Sequence, residues 1–209
     1  MTADWAKSVF VSQVTLSPAL PRKLIFKIKG RKIEITSNSK LEPKTTYILS
    51  VNNNLTDFNK KKLGTPFSLI FSTGSELDSG SVVGSLTSTT KTSDNLWLGL
   101  YPLGEQRQFL PHLNTPFLEK PDSFPNPQKE RPLYLIKTDS AGQFAYAGVK
   151  KGMYAVLGFE DLNNNLKADL PQERLAIGDT LRVNERTSVQ LNLETVQQGY
   201  LKIKGLSWK

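Results

Sequence analysis

The sequence predicts an all-β chain built as two β-sandwiches in tandem. Short apolar stretches alternate with polar residues at period two, the pattern of strands with one buried face. They recur about every ten residues with turn residues between them, the spacing of a sandwich. Charge then divides the chain. Residues 1–75 hold 12 Lys and Arg against 4 Asp and Glu, a net of +8, while residues 76–209 hold 15 against 15. That shift places a boundary near residue 75. The expected domains are residues 1–75 and 76–195, with residues 196–209 as a final strand or tether.

In the first domain, residues 8–16 (SVFVSQVTL) alternate and are closed by Ser17-Pro18. Residues 23–36 read as a hairpin turning at Gly30-Arg31. Leu24, Phe26 and Ile28 share one face of its first arm, and Ile33 and Ile35 share one face of its second. Residues 41–51 read as a turn leading into a strand. Residues 52–63 are polar, with Asp57 and the run Lys60-Lys61-Lys62, and residues 67–73 form a strand stopped by Gly74. The basic face would suit an anionic surface, or would simply keep sheet edges from pairing. Its lysines are not interleaved with aromatic platforms, so nucleic acid is not expected.

In the second domain, residues 77–85 read as a join and residues 85–96, rich in Ser and Thr, as a loop or edge. Residues 96–101 (LWLGLY) read as a buried strand. Residues 111–132 contain six of the twelve prolines, which a central strand does not accept, so they read as a long surface excursion. With Phe109, Phe117 and Phe124 in or beside it, this excursion is either a docking loop or a cover for the sandwich. Residues 133–159 read as a three-stranded meander with a turn at Asp139 to Gly142. Residues 175–183 and 187–193 supply two more strands.

The candidate site is residues 154–173, YAVLGFEDLNNNLKADLPQE. Its opening strand is apolar on both faces. Oxygen-bearing side chains then recur at Asp161, Asn163, Asn165 and Asp169, with Glu173 beyond and the Lys167 carbonyl between. A calcium ion takes six to eight oxygens at about 2.3–2.6 Å, and a tight loop of this spacing aims several at one centre. The usual calcium loop has Gly at its sixth position and Glu at its twelfth. Here those positions are Leu166 and Gln172, with Glu173 one place late. The competing reading is a polar turn whose Asn and Asp side chains bond nearby backbone.

Composition excludes several classes. With no Cys there is no disulfide, thiolate nucleophile or zinc–thiolate site. The single His112 lies among prolines with no Ser or Asp beside it for triad chemistry. Glu160, Asp161, Asp169 and Glu173 could supply the carboxylate pair of a glycosidase, but all four crowd into one polar loop, where solvent would leave them ordinary acids. No enzyme activity is expected. No apolar run is long enough to span a bilayer, and MTADWAKSVF lacks the apolar core of a signal peptide.

The order of motifs carries a family resemblance. Ser17-Pro18, then Leu41, Pro43, Thr45, Thr46 and Tyr47, then Phe71-Ser72-Thr73-Gly74 resemble the bacterial Ig-like domain of envelope proteins. After it, Leu98 to Tyr101, Thr138-Asp139 with Gly142 and Phe144, Lys151-Gly152 with Tyr154, and the run from Phe159 through Asn165 to Glu173 resemble the prealbumin-like or carboxypeptidase-regulatory-like β-sandwich of Bacteroidota lipoproteins. The resemblance implies an Ig-like domain followed by a prealbumin-like one, and an outer-membrane-associated setting in the cell envelope. It implies a non-catalytic binding or assembly module, an accessory subunit with other envelope proteins as partners. The alternative it leaves open is a carbohydrate-binding surface module with a structural Ca2+ in the acidic loop. Ala3-Asp4-Trp5 resembles the stump of a motif that closes two earlier strands, so the first sandwich is expected to lack two strands. Either the chain is a fragment, or its start lies upstream, where a lipoprotein signal segment would also lie, or a partner supplies the strands.

Overall fold

The period-two stretches fold as strands, and strands are the only extended regular elements among the described residues. In this computed structural model those residues are 13–29, 32–52, 55–56, 61–63, 66–88, 95–103, 125–128, 130–170, 172–178 and 180–193. The expectations for Trp5, the Gly30-Arg31 turn, Asp57, Lys60, Phe109, His112, Phe117, Phe124, most of the proline-rich stretch and residues 196–209 fall outside them.

The first part of the chain supplies β1 (Val14–Ser17), β2 (Ile25–Lys29), β3 (Lys32–Thr36), β4 (Thr46–Val51) and β5 (Phe67–Ser72). One antiparallel sheet has the order β1-β4-β5, and β2 and β3 pair as the expected hairpin, with Lys29 opposite Lys32. Register puts Val14 opposite Val51, Leu49 opposite Leu69 and Val51 opposite Phe67, so these side chains share one face. That face meets the hairpin in a small core of Val14, Phe26 and Leu55, with Leu24, Ile35, Leu49 and Val51 packed around it.

The opposite face of the same sheet is largely covered, with Ser68 at its exposed end. Ile48 is buried in the larger core of the second part of the chain, and Ile70 packs against that core. Ser17, at the end of β1, accepts the Leu135 N–H at 3.0 Å. The two parts of the molecule therefore share a packed layer.

The second part supplies β6 (Gly80–Ser88), β7 (Leu96–Pro102), β8 (Tyr134–Lys137), β9 (Gln143–Val149), β10 (Gly152–Glu160), β11 (Leu175–Ile177), β12 (Leu181–Val183) and β13 (Thr187–Leu193). One sheet runs β11-β10-β7-β8, with β12 also on β10, and the other runs β13-β6-β9. Between them lies the main core, which includes Val82, Leu86, Leu98, Leu100, Phe144 and Val156. β7 and β10 are buried on both faces, because Trp97, Ala155, Leu157 and Phe159 form a second cluster on the outer side. This is the all-β sandwich architecture expected.

Three local readings are corrected. Residues 133–159 form three strands but no meander: β8 pairs with β7, β9 with β6, and β10 with β7. The Asp139 turn forms, with its carboxylate accepting the Ala141 and Gln143 N–H groups at 2.9 and 2.8 Å. It carries the chain from one layer to the other instead of closing a hairpin. The stretch read as a join and then a loop contains β6, the middle strand of its sheet. Its glycines mask it: a Cβ on Gly84 would collide with the Val189 backbone of the parallel strand β13. Residues 175–183 hold two short strands, separated where Gly178 donates its N–H to Val156 O at 2.8 Å. Of the expected surface excursion, Pro125, Pro127 and Pro132 are buried.

Candidate functional site

The acidic loop begins where β10 ends. Glu160, the last residue of β10, receives the Arg174 guanidinium through Nε at 2.8 Å and Nη2 at 3.1 Å. That pair, with the Glu160 N–H on Arg174 O at 3.1 Å, ties the two ends of the loop together. Hydrogen bonding to Glu160 also raises the Arg174 pKa, against the opposing effect of burial. Asn95, the residue before β7, donates its amide to the Asp161 carbonyl and to Asn164 Oδ1, and its own Oδ1 accepts Trp97 Nε1–H.

The loop turns through two left-handed residues, Asn164 at φ 61° and Leu166 at φ 63°. Asn adopts this conformation readily; for Leu it costs about 1–3 kcal/mol. Leu166 is the sixth residue from Asp161, where a calcium loop has glycine for its sharp turn. The leucine keeps that backbone and gains packing, since Leu166, Ala168 and Leu170 lie against the outer cluster of Trp97, Phe159 and Leu175. The loop is thus a lid over the outer face of β7 and β10.

Its oxygens turn inward. Asp161, at 0% exposure, accepts the N–H groups of Asn165 on Oδ1 at 3.0 Å and of Leu166 on Oδ2 at 3.1 Å. Glu173, at 2% exposure, accepts those of Leu162 at 2.7 Å and Asp169 at 2.8 Å. Burial raises the pKa of both carboxyls, and these backbone bonds pull the other way. The charges of Asp161 and Asp169 raise Glu173 further. Asp169 Oδ2 accepts the side-chain amides of Asn163 at 2.6 Å and Asn165 at 2.5 Å. Asn163 Oδ1 accepts the Asn165 N–H at 3.0 Å, and Asn165 Oδ1 accepts the Lys167 N–H at 2.9 Å.

Of the six residues singled out in the sequence, Asn163, Asn165 and Asp169 meet side chain to side chain. The Asp161 and Glu173 carboxylates bond the loop backbone, and Lys167 joins through its N–H. In this hydrogen-bonding state the arrangement is a self-satisfied polar turn. Among the described residues no three acidic, His or Cys side chains come together as a metal-binding group. A cation at the centre would need Asn163 and Asn165 to turn Oδ1 inward, which would break the bonds that these oxygens accept from the Asn165 and Lys167 N–H groups as well as those to Asp169. The sequence offered Glu160 only as a candidate catalytic acid; its clamp with Arg174 and the Asn95 brace were not foreseen. Their one signal was position, since Glu160 and Arg174 flank the loop.

A second feature lies on the first part of the molecule. β5 is an edge: among the described residues its only paired neighbour is β4. The hairpin core covers Leu49 and Val51, yet their partners on β5, Leu69 and Phe67, remain 47% and 54% exposed. Ile33, on β3, is exposed as well. The charge of β2 and β3 is in part internal, with Lys29 Nζ 3.1 Å from Glu34 on the facing strand.

Trp97 is buried, with Lys137 Nζ 5.2 Å above its ring, and so offers no platform for a sugar. No helix of the described residues is long and apolar enough to cross a membrane. Residues 2–73 match the family model of the bacterial Ig-like domain. No curated protein and no solved structure matches the chain.

Proposed function

We propose that this chain, which carries a bacterial Ig-like domain, is a non-catalytic assembly module of the cell envelope that docks a partner protein on β5. Ig-like domains are generally surface or binding modules, which supports the reading. The observation that carries the proposal is the pairing of an open strand edge with exposed apolar side chains, Phe67 and Leu69, on one element. An open edge offers unpaired backbone groups, and proteins usually blunt such edges with charge. The occupant that satisfies both is an extended strand of an envelope protein, added alongside β5 with apolar side chains at alternate positions.

The experiment is intact-complex mass spectrometry of the protein taken from its native envelope, with Leu69→Lys and Phe67→Lys variants alongside. Both positions are exposed, so folding is expected to change by no more than about 0.5 kcal/mol. A defined complex with an envelope protein, lost in the variants, is the expected result. A native chain recovered alone, or a complex untouched by both lysines, would refute the docking role.

A second reading concerns the acidic loop. Two buried carboxylates, Asp161 and Glu173, lie near a third, Asp169, and burial raises the pKa of the first two. A Ca2+ held by Asp161, Asn163, Asn165, Asp169 and Glu173, with the Lys167 carbonyl, would offset that repulsion. In this reading the ion fixes the lid and takes no part in chemistry.

A further inference from the structure

A cavity of about 350 Å3 opens between the two parts of the molecule. From the first part, Val14, Leu24 and Phe26 face it; from the second, Pro132, Leu135 and Leu166 do. Of these six, all but Pro132 belong to or pack against hydrophobic clusters, so this part of the wall is apolar. Three cationic residues also line the cavity: Arg22, Lys23 and Arg131. All three are exposed, which places them where the cavity meets water. No Asp or Glu lines it, and among the described residues none of the three cations is in an ion pair. Small-molecule sites are typically about 300–1,000 Å3, mostly apolar, with a few polar groups that fix orientation. This cavity stands at the small end of that range.

We propose that the cavity between Leu24, Phe26 and Leu135 is a binding site for a small amphiphilic anion, a medium-chain carboxylate. The hydrocarbon chain enters among the apolar side chains, and the carboxylate stays at the mouth. There two guanidinium forks, Arg22 and Arg131, can each present paired N–H donors to its oxygens, and Lys23 adds a third charge. Asn164 and Asn165 also line the cavity, as polar, uncharged residues. A neutral chain would leave the cationic mouth without a counter-charge, and a cationic one would be repelled by it. The net charge of +8 adds a general attraction for anions. The site is separate from the β5 edge and does not depend on that docking role.

The test is calorimetric titration of the whole chain with decanoate, decan-1-ol and acetate. The expected result is saturable one-to-one binding of decanoate, with decanol and acetate each weaker by roughly tenfold or more. Arg22→Glu/Lys23→Glu/Arg131→Glu changes exposed residues only. It should leave the thermal midpoint in place and weaken decanoate by roughly tenfold or more, each tenfold step being about 1.4 kcal/mol. Leu24→Trp, which fills the cavity, should abolish binding; if that variant unfolds, the charge variant decides alone. Decanol binding as tightly as decanoate would overturn the role of the cations. Acetate binding as tightly would overturn the role of the apolar wall, and no saturable binding of decanoate would overturn the site.

Discussion

The acidic loop gives the sharpest discrimination between the two readings of its oxygens, and the perturbation is Asp161→Asn. The substitution keeps the side chain's shape and one acceptor oxygen. The lost oxygen now accepts a backbone N–H, from Asn165 or Leu166. Leaving that donor unpaired costs about 1–3 kcal/mol. Against this, the substitution removes a fully buried charge whose pKa burial already raises. In a chelating buffer the two effects oppose each other, and the net change in stability should be small. In Ca2+ the comparison changes, because a ligand that binds only the folded state stabilises it by RT ln(1 + [L]/Kd). For the affinities of extracellular calcium modules, about 0.1–1 mM, roughly 10 mM Ca2+ would add about 1.4–2.7 kcal/mol. In a chain of this size each kcal/mol moves the midpoint by about 2–4 °C, so the native protein should gain about 3–11 °C.

The assay is thermal unfolding in chelator, in Mg2+ and in Ca2+, for the native chain and the variant. The cation reading expects a Ca2+ shift in the native chain, a smaller one in Mg2+, which demands a tighter octahedral shell, and almost none in the variant. A native chain indifferent to Ca2+ would refute the cation and leave the polar turn. A variant that keeps the full shift would place the ion elsewhere.

Three more predictions concern the sandwich. A Cβ on Gly158 would lie 2.5 Å from Leu86 Cδ1 and 3.3 Å from Ala176 Cβ; Gly158→Ala should therefore cost about 1–3 kcal/mol in denaturant unfolding. Combined with Leu86→Ala, which empties the space it needs, it should cost clearly less than the sum of the single changes, and strict additivity would contradict this packing. Burial raises the phenol pKa of Tyr101, Tyr134, Tyr146 and Tyr154, so the unfolded chain gives up these protons more readily than the folded one. Stability is then retained below the unfolded value of about 10 and lost as pH rises above it. Tyrosinate absorbance should jump together with the loss of fold, and a smooth titration of all six tyrosines before unfolding would contradict the burial. Because Ile48 and Ile70 of the Ig-like part pack into the second part's core, calorimetry should show one cooperative transition; two well-separated transitions would contradict the shared layer.

Much of the fold was legible because strand periodicity is a local property. Tyr47, Leu49 and Val51 alternate along β4, and β7 and β10 read as continuous apolar runs because both of their faces are covered. Which strands pair is not local. The Asp139 turn was readable from its side chain, but nothing in it says whether Gln143 to Val149 returns beside β8 or crosses to β6. β6 was hidden by the very residues that let it lie close to β13, since its Gly80-Ser81 and Gly84-Ser85 pairs look like a loop. The shared layer was hidden too: the second face of β4 and β5 carries Thr46, Ser50, Ser68 and Ser72 around only two isoleucines, which reads as a solvent face.

The acidic loop shows where local and tertiary information diverge. Its oxygen spacing was plain; Asn163, Asn165 and Asp169 meet, while Asp161 and Glu173 bond the loop backbone. Leu166 counted against a tight calcium-type turn, because a non-glycine residue there is strained. The structure retains the turn because that leucine contributes to the outer cluster and, on its other side, to the wall of the cavity beside Leu135. One residue thus connects the lid, the candidate cation position and the candidate anion cavity. If both ligands bind, their affinities are linked, and each must change the other's by the same factor. Ca2+ would fix the backbone of residues 164–166, which supply Asn164, Asn165 and Leu166 to the cavity, and so would lower the ordering cost that the anion otherwise bears. The sign expected is positive cooperativity between a cation and an anion held on opposite sides of one short loop.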